Sequence, residues 1–189
     1  MLKSALLIAA ISVPALAQPK IRVTNGQVSQ EGNRFEIKSK SSRFEFEDRT
    51  GEQLSIQVTY KGATSEQSTL GSGQVVSQVA LKLRSENQCN LVYVARRFSP
   101  KSEIVVFLKQ NDGQSTHQEC EDRGYKRIAS IGVPMIGINN KFSLSGAFDG
   151  DMLTVLYDGK NVWSGRVSWN RKGKAGIRTD NANVSIEMN

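Results

Sequence analysis

Residues 89–125 read CNLVYVARRFSPKSEIVVFLKQNDGQSTHQECEDRGY, and the arrangement of the whole chain is easiest to understand from this stretch. Residues 91–98 and 104–109 are rich in Val, Ile, Tyr and Phe, and Pro100 lies between them. This pattern predicts two β-strands joined by a short turn, followed by a polar segment. The stretch holds both cysteines of the chain and its only histidine, His117, so a functional site is expected here first.

Apolar and polar residues alternate with period two on both sides of the central stretch, and no window of a dozen residues shows a helical stripe. Residues 61–73 are small, polar and glycine-bearing and predict a surface loop, whereas residues 126–137 predict an irregular apolar segment. Asp149-Gly150 and Asp158-Gly159 predict tight hairpin turns. Further strands are predicted at 43–48, 53–60, 74–84, 142–148, 152–158, 161–167, 174–180 and 183–188.

Together with shorter alternating stretches from Ile21 onward, these make about eleven or twelve strands and predict an all-β fold with no helix. Many short antiparallel strands in a chain of this length favour two stacked sheets, a β-sandwich or jelly roll. We expect one such domain over residues 18–189, because the chain is long enough for one substantial core and too short to suggest two.

The first 17 residues, MLKSALLIAAISVPALA, have one positive charge at Lys3, then an apolar run, then Ala15-Leu16-Ala17. This is the layout of a secretory signal peptide, so we expect cleavage near Ala17 and a secreted or periplasmic product. No later apolar run is long enough for a membrane helix, so no membrane span is expected.

Lys and Arg number 25 against 18 Asp and Glu, which gives a formal net charge of +7. Such an excess favours anionic partners. For an exported chain these are acidic glycans, wall polymers or lipid headgroups rather than nucleic acid, and a soluble surface with a positive bias explains the charge equally well. We expect a monomer.

Two cysteines in an exported chain predict one disulfide, Cys89 to Cys120. It would fasten the polar segment to the start of the first central strand. The closed loop of about 30 residues would contribute about 3 kcal/mol of stability.

The last third of the chain carries AFDGDMLTVLYDGKNVWSGRV and GKAGIRTDNANVSIEM. In it, Leu153, Val155 and Tyr157 precede Asp158-Gly159, and Gly176-Ile177-Arg178 leads into the final strand. This pattern resembles the closing strands of concanavalin A-like lectins and glucanases and of laminin G-like jelly rolls. The resemblance implies a two-sheet antiparallel sandwich, and it does not select among lectins, glucanases, polysaccharide lyases and adhesion modules.

Alternation along residues 91–98 places Leu91, Tyr93, Ala95 and Arg97 on one face and Val92, Val94, Arg96 and Phe98 on the other. The second set is mostly core. The first set combines a stacking surface, room for a ring and a cation that can bind carboxylate or hydroxyls, which suits the concave sheet that receives ligand in jelly rolls of this kind. Alternatively, Tyr93 is an ordinary half-buried residue of the sheet and Arg97 is solvated.

The polar segment adds His117, Glu119, Arg123 and Tyr125, and Lys109 ends the neighbouring strand. Polysaccharide lyases need a cation to neutralise a uronate carboxylate, a base and an acid, and Arg97, His117 and Tyr125 could supply these roles. A disulfide-pinned loop whose Glu and Arg pair with each other explains the same residues without catalysis.

A glycoside hydrolase needs two carboxylates facing each other across a cleft. The glucanase pattern Glu-x-Asp-x-x-Glu fails after Glu45, because position 47 is Glu and position 50 is Thr. Calcium is conceivable at Asp149, Asp151, Asp158 and Asp180, although turn formation explains these residues more simply.

The sequence therefore predicts a carbohydrate-binding protein that acts without turnover on an acidic or neutral glycan and needs no cofactor. The alternatives are a polysaccharide lyase, favoured over a hydrolase, and a structural or adhesion module with a protein partner. The expected ligand-binding residues are Tyr93, Arg97, Lys109, His117, Arg123 and Tyr125.

Overall fold

A computed structural model describes residues 18–188, and the expected signal peptide lies outside this range. Over these residues the chain forms two seven-stranded sheets in which every neighbouring pair is antiparallel. The first sheet has the spatial order β1 (Ile21–Asn25), β4 (Ser41–Thr50), β13 (Lys174–Asp180), β6 (Ser77–Ser85), β7 (Leu91–Ser99), β8 (Glu103–Lys109) and β9 (Tyr125–Gly132).

The second sheet lies against the first. Its spatial order is β12 (Lys160–Arg166), β11 (Met152–Tyr157), β10 (Lys141–Asp149), β5 (Gln53–Ala63), β14 (Ala182–Met188), β3 (Arg34–Ile37) and β2 (Ser29–Glu31). The fold is the all-β, two-sheet jelly roll that the sequence predicts.

The core forms between the inward faces of the two sheets, as the period-two alternation requires. Phe44 and Phe46 of β4 pack against Phe35 of β3, with ring centroids 5.1 and 6.0 Å from that ring. From the central strand, Val92 and Val94 point into the same core and are fully buried. The alternating residues between them therefore point away from the core, onto the outer face of the first sheet.

The tight turns form where they are predicted. Asp158 and Gly159 join β11 to β12 and both have positive φ, 50° and 72°. This is the backbone that a two-residue hairpin of matching twist requires, and Asp-Gly supplies it at low steric cost. Gly150, with φ of 59°, serves the turn between β10 and β11.

Residues 126–137 do not form the irregular segment that the sequence predicts. Most of them belong to β9, which pairs with β8 along the edge of the first sheet. The register shifts between Val106 and Phe107, whose partners are Ala129 and Arg127, so Ile128 is an extra residue in the edge strand. A β-bulge of this kind breaks the alternation and hides the strand from a period-two search.

The expectation of no helix is wrong at one short turn, α1 (His117–Cys120). Thr116 precedes it, and the Glu119 carboxylate accepts the Thr116 backbone N–H at 2.9 Å, which forms a capping box. The sequence signal for this helical turn is the capping-box pattern Thr-x-x-Glu. The turn is too short to show the hydrophobic periodicity by which longer helices are predicted. β6 also begins at Ser77, three residues later than predicted, and the residues 64–76 before it form a loop.

Candidate functional site

The outer face of the first sheet holds a cavity with a volume of about 290 Å³. Its floor contains Ala80 of β6 and Ala95 of β7, which lie directly opposite each other in the sheet. Tyr93 and Phe107 are also paired across β7 and β8 in the next row. Two methyl-sized side chains beside two large rings leave a depression in the face, which is the physical origin of the cavity.

One side of this cavity is a continuous row of paired polar groups. The Gln78 amide donates to Asp180 at 2.7 Å and accepts from the Arg97 guanidinium at 3.3 Å. Arg97 in turn contacts Glu103 at 3.2 Å. The four residues sit opposite one another across β13, β6, β7 and β8, so the sheet register itself assembles the row.

Arg178 of β13 is the buried cation at the centre of the face. Its guanidinium binds both carboxylate oxygens of Asp180, at 2.7 and 3.2 Å, and donates to the Tyr125 hydroxyl at 2.9 Å. The guanidinium also lies 5.4 Å from the centre of the Tyr93 ring. These contacts fix both tyrosine rings in the wall of the cavity.

The buried surroundings shift the pKa of these groups in opposite directions. Burial raises the pKa of Tyr125 well above its usual range, so its hydroxyl keeps its proton at neutral pH. Burial also disfavours ionisation of Asp180, but the charge of Arg178 and the hydrogen bonds outweigh it and lower the pKa of that carboxyl. The face therefore presents a neutral phenol beside a fixed ion pair.

The loop of residues 64–76, here the cover loop, lies over this cavity and contributes Leu70, Ser72 and Gln74 to its lining. Asn181 holds the loop: its side chain accepts the Ser68 N–H at 2.8 Å and donates to the carbonyls of Ser68 and Val76 at 2.8 and 3.0 Å. Asn181 is fully buried and has a positive φ of 52°, a conformation that Asn tolerates better than most residues.

The cover loop also meets the polar segment. Gly71 packs so closely on Asp122 that a Cβ at this position would overlap the Asp122 side chain. Asp122 itself lines the larger cavity. The glycine is therefore required by this close approach, and the two loops form one continuous wall above the sheet.

The disulfide Cys89–Cys120 forms as predicted. It connects the residues before β7 to the end of α1 and so brings the polar segment over Lys109 of β8. The Lys109 ammonium is nearly fully buried and donates to the carbonyls of Gln88 and Glu121 at 3.2 and 2.9 Å. It also lies 5.1 Å from the centre of the Tyr125 ring.

The structure distributes the six predicted binding residues over two neighbouring cavities. Tyr93 and Tyr125 line both the 290 Å³ cavity and a smaller one of about 90 Å³. Arg97 lines the larger cavity, and Lys109 and His117 line the smaller one. Arg123 is exposed, lines neither of them, and donates to the Glu119 carbonyl at 2.6 Å.

Sequence reasoning missed several residues of this face. Apart from Phe107 of β8, these residues lie outside the central stretch, and they are Gln78, Ala80, Phe107, Arg127, Arg178, Asp180 and Asn181. Arg178 carried a signal, since it ends Gly176-Ile177-Arg178, but that motif was interpreted as a feature of the fold alone. Asp180 and Asn181 were interpreted as a turn.

Glu45, the starting point of the glucanase comparison, is engaged in a structural ion pair. It accepts from Lys82 at 2.7 Å, from Arg22 at 2.9 Å and from Ser85 at 2.9 Å. Burial opposes ionisation, but the charge of Lys82 and these hydrogen bonds outweigh it and lower the pKa of Glu45 to about 2. Its carboxylate stays ionised and fully occupied.

Within residues 18–188 no group of three or more His, Cys, Asp or Glu side chains is placed to hold a metal ion. Asp180 is occupied by Arg178 and Gln78, and Asp158 accepts the Ser143 N–H at 2.8 Å. A calcium site at loop carboxylates stays a prediction. None of the helical structure in the described part of the chain has the length and apolar character that a membrane crossing requires.

No protein-family model matches the sequence, and no curated protein matches it significantly. Solved structures do match the fold. The carbohydrate-binding module CBM66 from Bacillus subtilis is 16% identical with a TM-score of 0.64, and the match covers 90% of this chain and 94% of that one. The exoplasmic/lumenal domain of VIP36, bound to Ca²⁺ and Man2, is 11% identical with a TM-score of 0.55, over 89% of this chain and 81% of that one.

The galectin LEC-6 from Caenorhabditis elegans is 12% identical with a TM-score of 0.50, over 83% of this chain and 96% of that one. The chain thus has the concanavalin A-like jelly-roll fold, as the closing strands of the sequence suggest. At these identities the likeness establishes the fold and not the ligand.

Proposed function

We propose that this protein is an exported glycan-binding module that acts without turnover and uses the larger cavity on the outer face of the first sheet. The observation that carries the proposal is the 290 Å³ cavity itself, which combines ring faces, a floor of two alanines and several cations. Sugar rings present apolar C–H faces and polar edges, so they fit a site with both kinds of surface. Named carbohydrate binders among the structures of the same fold add support.

A sugar ring would pack against Tyr93 and Phe107 above Ala80 and Ala95. Arg127 is exposed at the cavity and has no ion pair within residues 18–188, and its guanidinium lies 5.7 Å from the centre of the Phe107 ring. It is therefore free to bind hydroxyl or carboxylate oxygens. Ser72 and Gln74 of the cover loop line the same space and would bind the opposite edge of the sugar.

The disulfide supports export, because such bonds persist in oxidising compartments outside the cytosol. The signal peptide predicted from the first 17 residues agrees with it. The alternative that is not a carbohydrate function is a structural or adhesion module that binds a protein partner at the same face. In that case no binding to oligosaccharides would be detected.

A polysaccharide lyase remains the enzymatic alternative. Tyr125 suits the acid role, because its raised pKa keeps it protonated. However, His117, the expected base, is exposed and lines the smaller cavity, whereas Arg97 lines the larger one. One substrate would have to reach both cavities at a single reacting carbon, so the arrangement favours binding over turnover.

The test is binding of acidic and neutral oligosaccharides, first on a glycan array and then by calorimetry. Ala95→Leu fills the floor of the cavity and should abolish binding, and Arg127→Ala should weaken it about tenfold, as expected for loss of a charged hydrogen bond. Arg166→Ala is the matched control, since Arg166 is an exposed arginine of β12 on the other sheet. No binding to any oligosaccharide, or equal losses in the variants and the control, would contradict the proposal.

Turnover is measured separately with alginate, glucuronan and pectate, by the absorbance of new unsaturated sugar ends. We expect no increase. An increase that disappears in His117→Ala would establish the lyase instead.

A further inference from the structure

The smaller cavity, about 90 Å³, lies beside the proposed glycan cavity and shares Tyr93, Tyr125 and Arg178 with it as a common wall. Its lining is strongly cationic. β4, β6 and β8 contribute Arg43, Lys82 and Lys109, and α1 contributes His117. The cavity therefore joins cations from both halves of the sheet in a space about one third as large as its neighbour.

Two of the four lysine and arginine side chains are neutralised by carboxylates. Lys82 lies 2.7 Å from Glu45, and Arg178 lies 2.7 Å from Asp180. The other two, Arg43 and Lys109, make no ion pair within 4 Å in the part of the chain that the structure describes. The site thus retains two uncompensated positive charges.

Lys109 is the more costly of these charges. Its side chain is only 2% exposed, and the ammonium is held by two backbone carbonyls and the sulfur of Cys120 rather than by an acid. A buried charge without a counter-charge is strongly disfavoured. In agreement, burial and the nearby charge of Arg178 lower the pKa of Lys109, although Asp122 acts in the opposite direction.

Arg43 adds a second arginine beside Arg178 on the face. In the pairing of β4 with β13 it lies directly opposite Arg178, on the same face of the sheet. Like charges in this position destabilise a sheet. Arg43 is only half-exposed, and its side chain makes no hydrogen bond within residues 18–188, so its donors are available to a ligand.

We propose that the smaller cavity binds an oxyanion, held chiefly by Arg43 and Lys109, and that this oxyanion is a sulfate, phosphate or carboxylate substituent of the glycan. The second part rests on the proposed function, whereas the anion site stands by itself. The Arg43 guanidinium can bind such oxygens by charge-assisted hydrogen bonds, whereas Lys109, whose N–H groups already donate to Gln88, Glu121 and Cys120, contributes its positive charge. Asn25 and Gln88 add neutral polar groups to the lining.

The geometry favours a substituent over a second sugar. The cavity is small, and the wall that it shares with the larger one consists of the two tyrosine rings and Arg178. A ring stacked in the larger cavity would direct a charged group past this wall into the smaller one. Neutral glycans would use the larger cavity alone and gain nothing from Arg43.

The first experiment titrates the protein with inorganic sulfate and inorganic phosphate at constant ionic strength, with chloride as the balancing salt. Binding is followed by NMR and by thermal stability. We expect saturable binding that Arg43→Gln weakens about tenfold or more, as befits loss of a charge-assisted hydrogen bond. Because Arg43 is half-exposed and its side chain makes no hydrogen bond or ion pair within residues 18–188, this variant should fold with a stability close to that of the wild type.

Arg49→Gln is the matched control, since Arg49 is a half-exposed arginine on the same strand that lies over Phe46 and lines neither cavity. It should bind sulfate as the wild type does. Equal weakening in both variants, or no saturable binding of either anion by the wild type, would overturn the anion site.

The second experiment compares a sulfated oligosaccharide, a uronate and their neutral parent. Tighter binding of a charged form, lost in Arg43→Gln and kept in Arg49→Gln, supports the substituent assignment and identifies the anion. If inorganic sulfate binds but no glycan does, the anion site stands and the glycan proposal fails. If neutral and charged glycans bind equally and Arg43→Gln changes neither, the substituent assignment fails and the glycan proposal stands.

Discussion

The two sheets are built from the same alternating pattern, yet their outer faces differ. On the first sheet, Arg178 and Asp180 form an ion pair that is nearly inaccessible to water. On the second sheet, Arg34 and Glu36 form an ion pair of similar length, 2.8 Å, whose side chains are 47% and 27% exposed. The strands do not explain this difference, because both pairs occupy outward positions on regular strands.

The loops explain it. The cover loop, residues 64–76, and the polar segment that ends at Tyr125 lie over the first sheet and meet where Gly71 packs on Asp122. The two loops shield the charged residues of this face from solvent. Buried charges contribute little net stability compared with apolar packing, so stability alone does not account for them, which agrees with the proposed ligand site.

The largest expected effect comes from breaking the buried ion pair. Arg178→Met leaves the Asp180 carboxylate buried without its partner and should lower the free energy of unfolding by about 3–5 kcal/mol. Arg34→Met, the matched change on the second sheet, should lower it by less than about 1 kcal/mol, because that pair is solvated. Urea denaturation measures both, and equal losses would remove the distinction between the two faces.

The second effect concerns the attachment of the polar segment. Replacing Cys89 and Cys120 together by alanine should lower the free energy of unfolding by about 3 kcal/mol, because the open chain regains the entropy of a 31-residue loop. The wild type under reducing conditions should behave in the same way. Sulfate binding should weaken in parallel, since Lys109 loses the carbonyl partners that the disulfide holds in place, and unchanged sulfate binding would contradict this reasoning.

The third effect concerns the cover loop. Asn181→Gly permits the same positive φ but removes the amide that holds residues 64–76, and it should lower the free energy of unfolding by about 1–3 kcal/mol. Hydrogen exchange should accelerate in this loop and stay as in the wild type in β10 and β11 of the second sheet. Acceleration spread over both sheets would mean that Asn181 supports the whole fold rather than the loop.

The fourth effect is a pH dependence on the acidic side. Glu45 has a folded-state pKa of about 2 against an ordinary value of about 4.3, so its contribution to stability is present above that ordinary value and declines as pH falls towards 2. Glu45→Gln should therefore flatten the decline of unfolding free energy between about pH 5 and pH 2. Glu47→Gln, an exposed position on the same strand, should retain the wild-type slope.

Much of the fold could be predicted because apolar and polar residues alternate along a half-buried strand. The strands that contain Phe44, Ile56 and Val94 lie close to their predicted bounds, and their apolar residues fill the core. β9 was not predicted, because its bulge at Ile128 interrupts the alternation of apolar and polar residues. α1 was not predicted, because a single helical turn is too short to show a hydrophobic periodicity.

The candidate site was predicted only in part. The central strand placed Tyr93 and Arg97 on the outward face, and the structure finds both beside the larger cavity. Arg178 and Arg43 could not be found in this way, because their positions beside Tyr93 and Lys109 depend on the pairing of β13 with β4 and β6. Arg123 shows the opposite case, a charged residue close in sequence whose side chain turns away to the Glu119 carbonyl.

The amino-acid sequence by itself determined the strands from β4 onward except β9, the tight turns, the disulfide and which side of those strands faces the core, because these depend on neighbours within a few residues or on a single possible cysteine pair. Only the tertiary structure decided that two distant loops cover the first sheet and that cations from four strands meet beside two tyrosines. Strand order and register set those distances, and no local pattern encodes them.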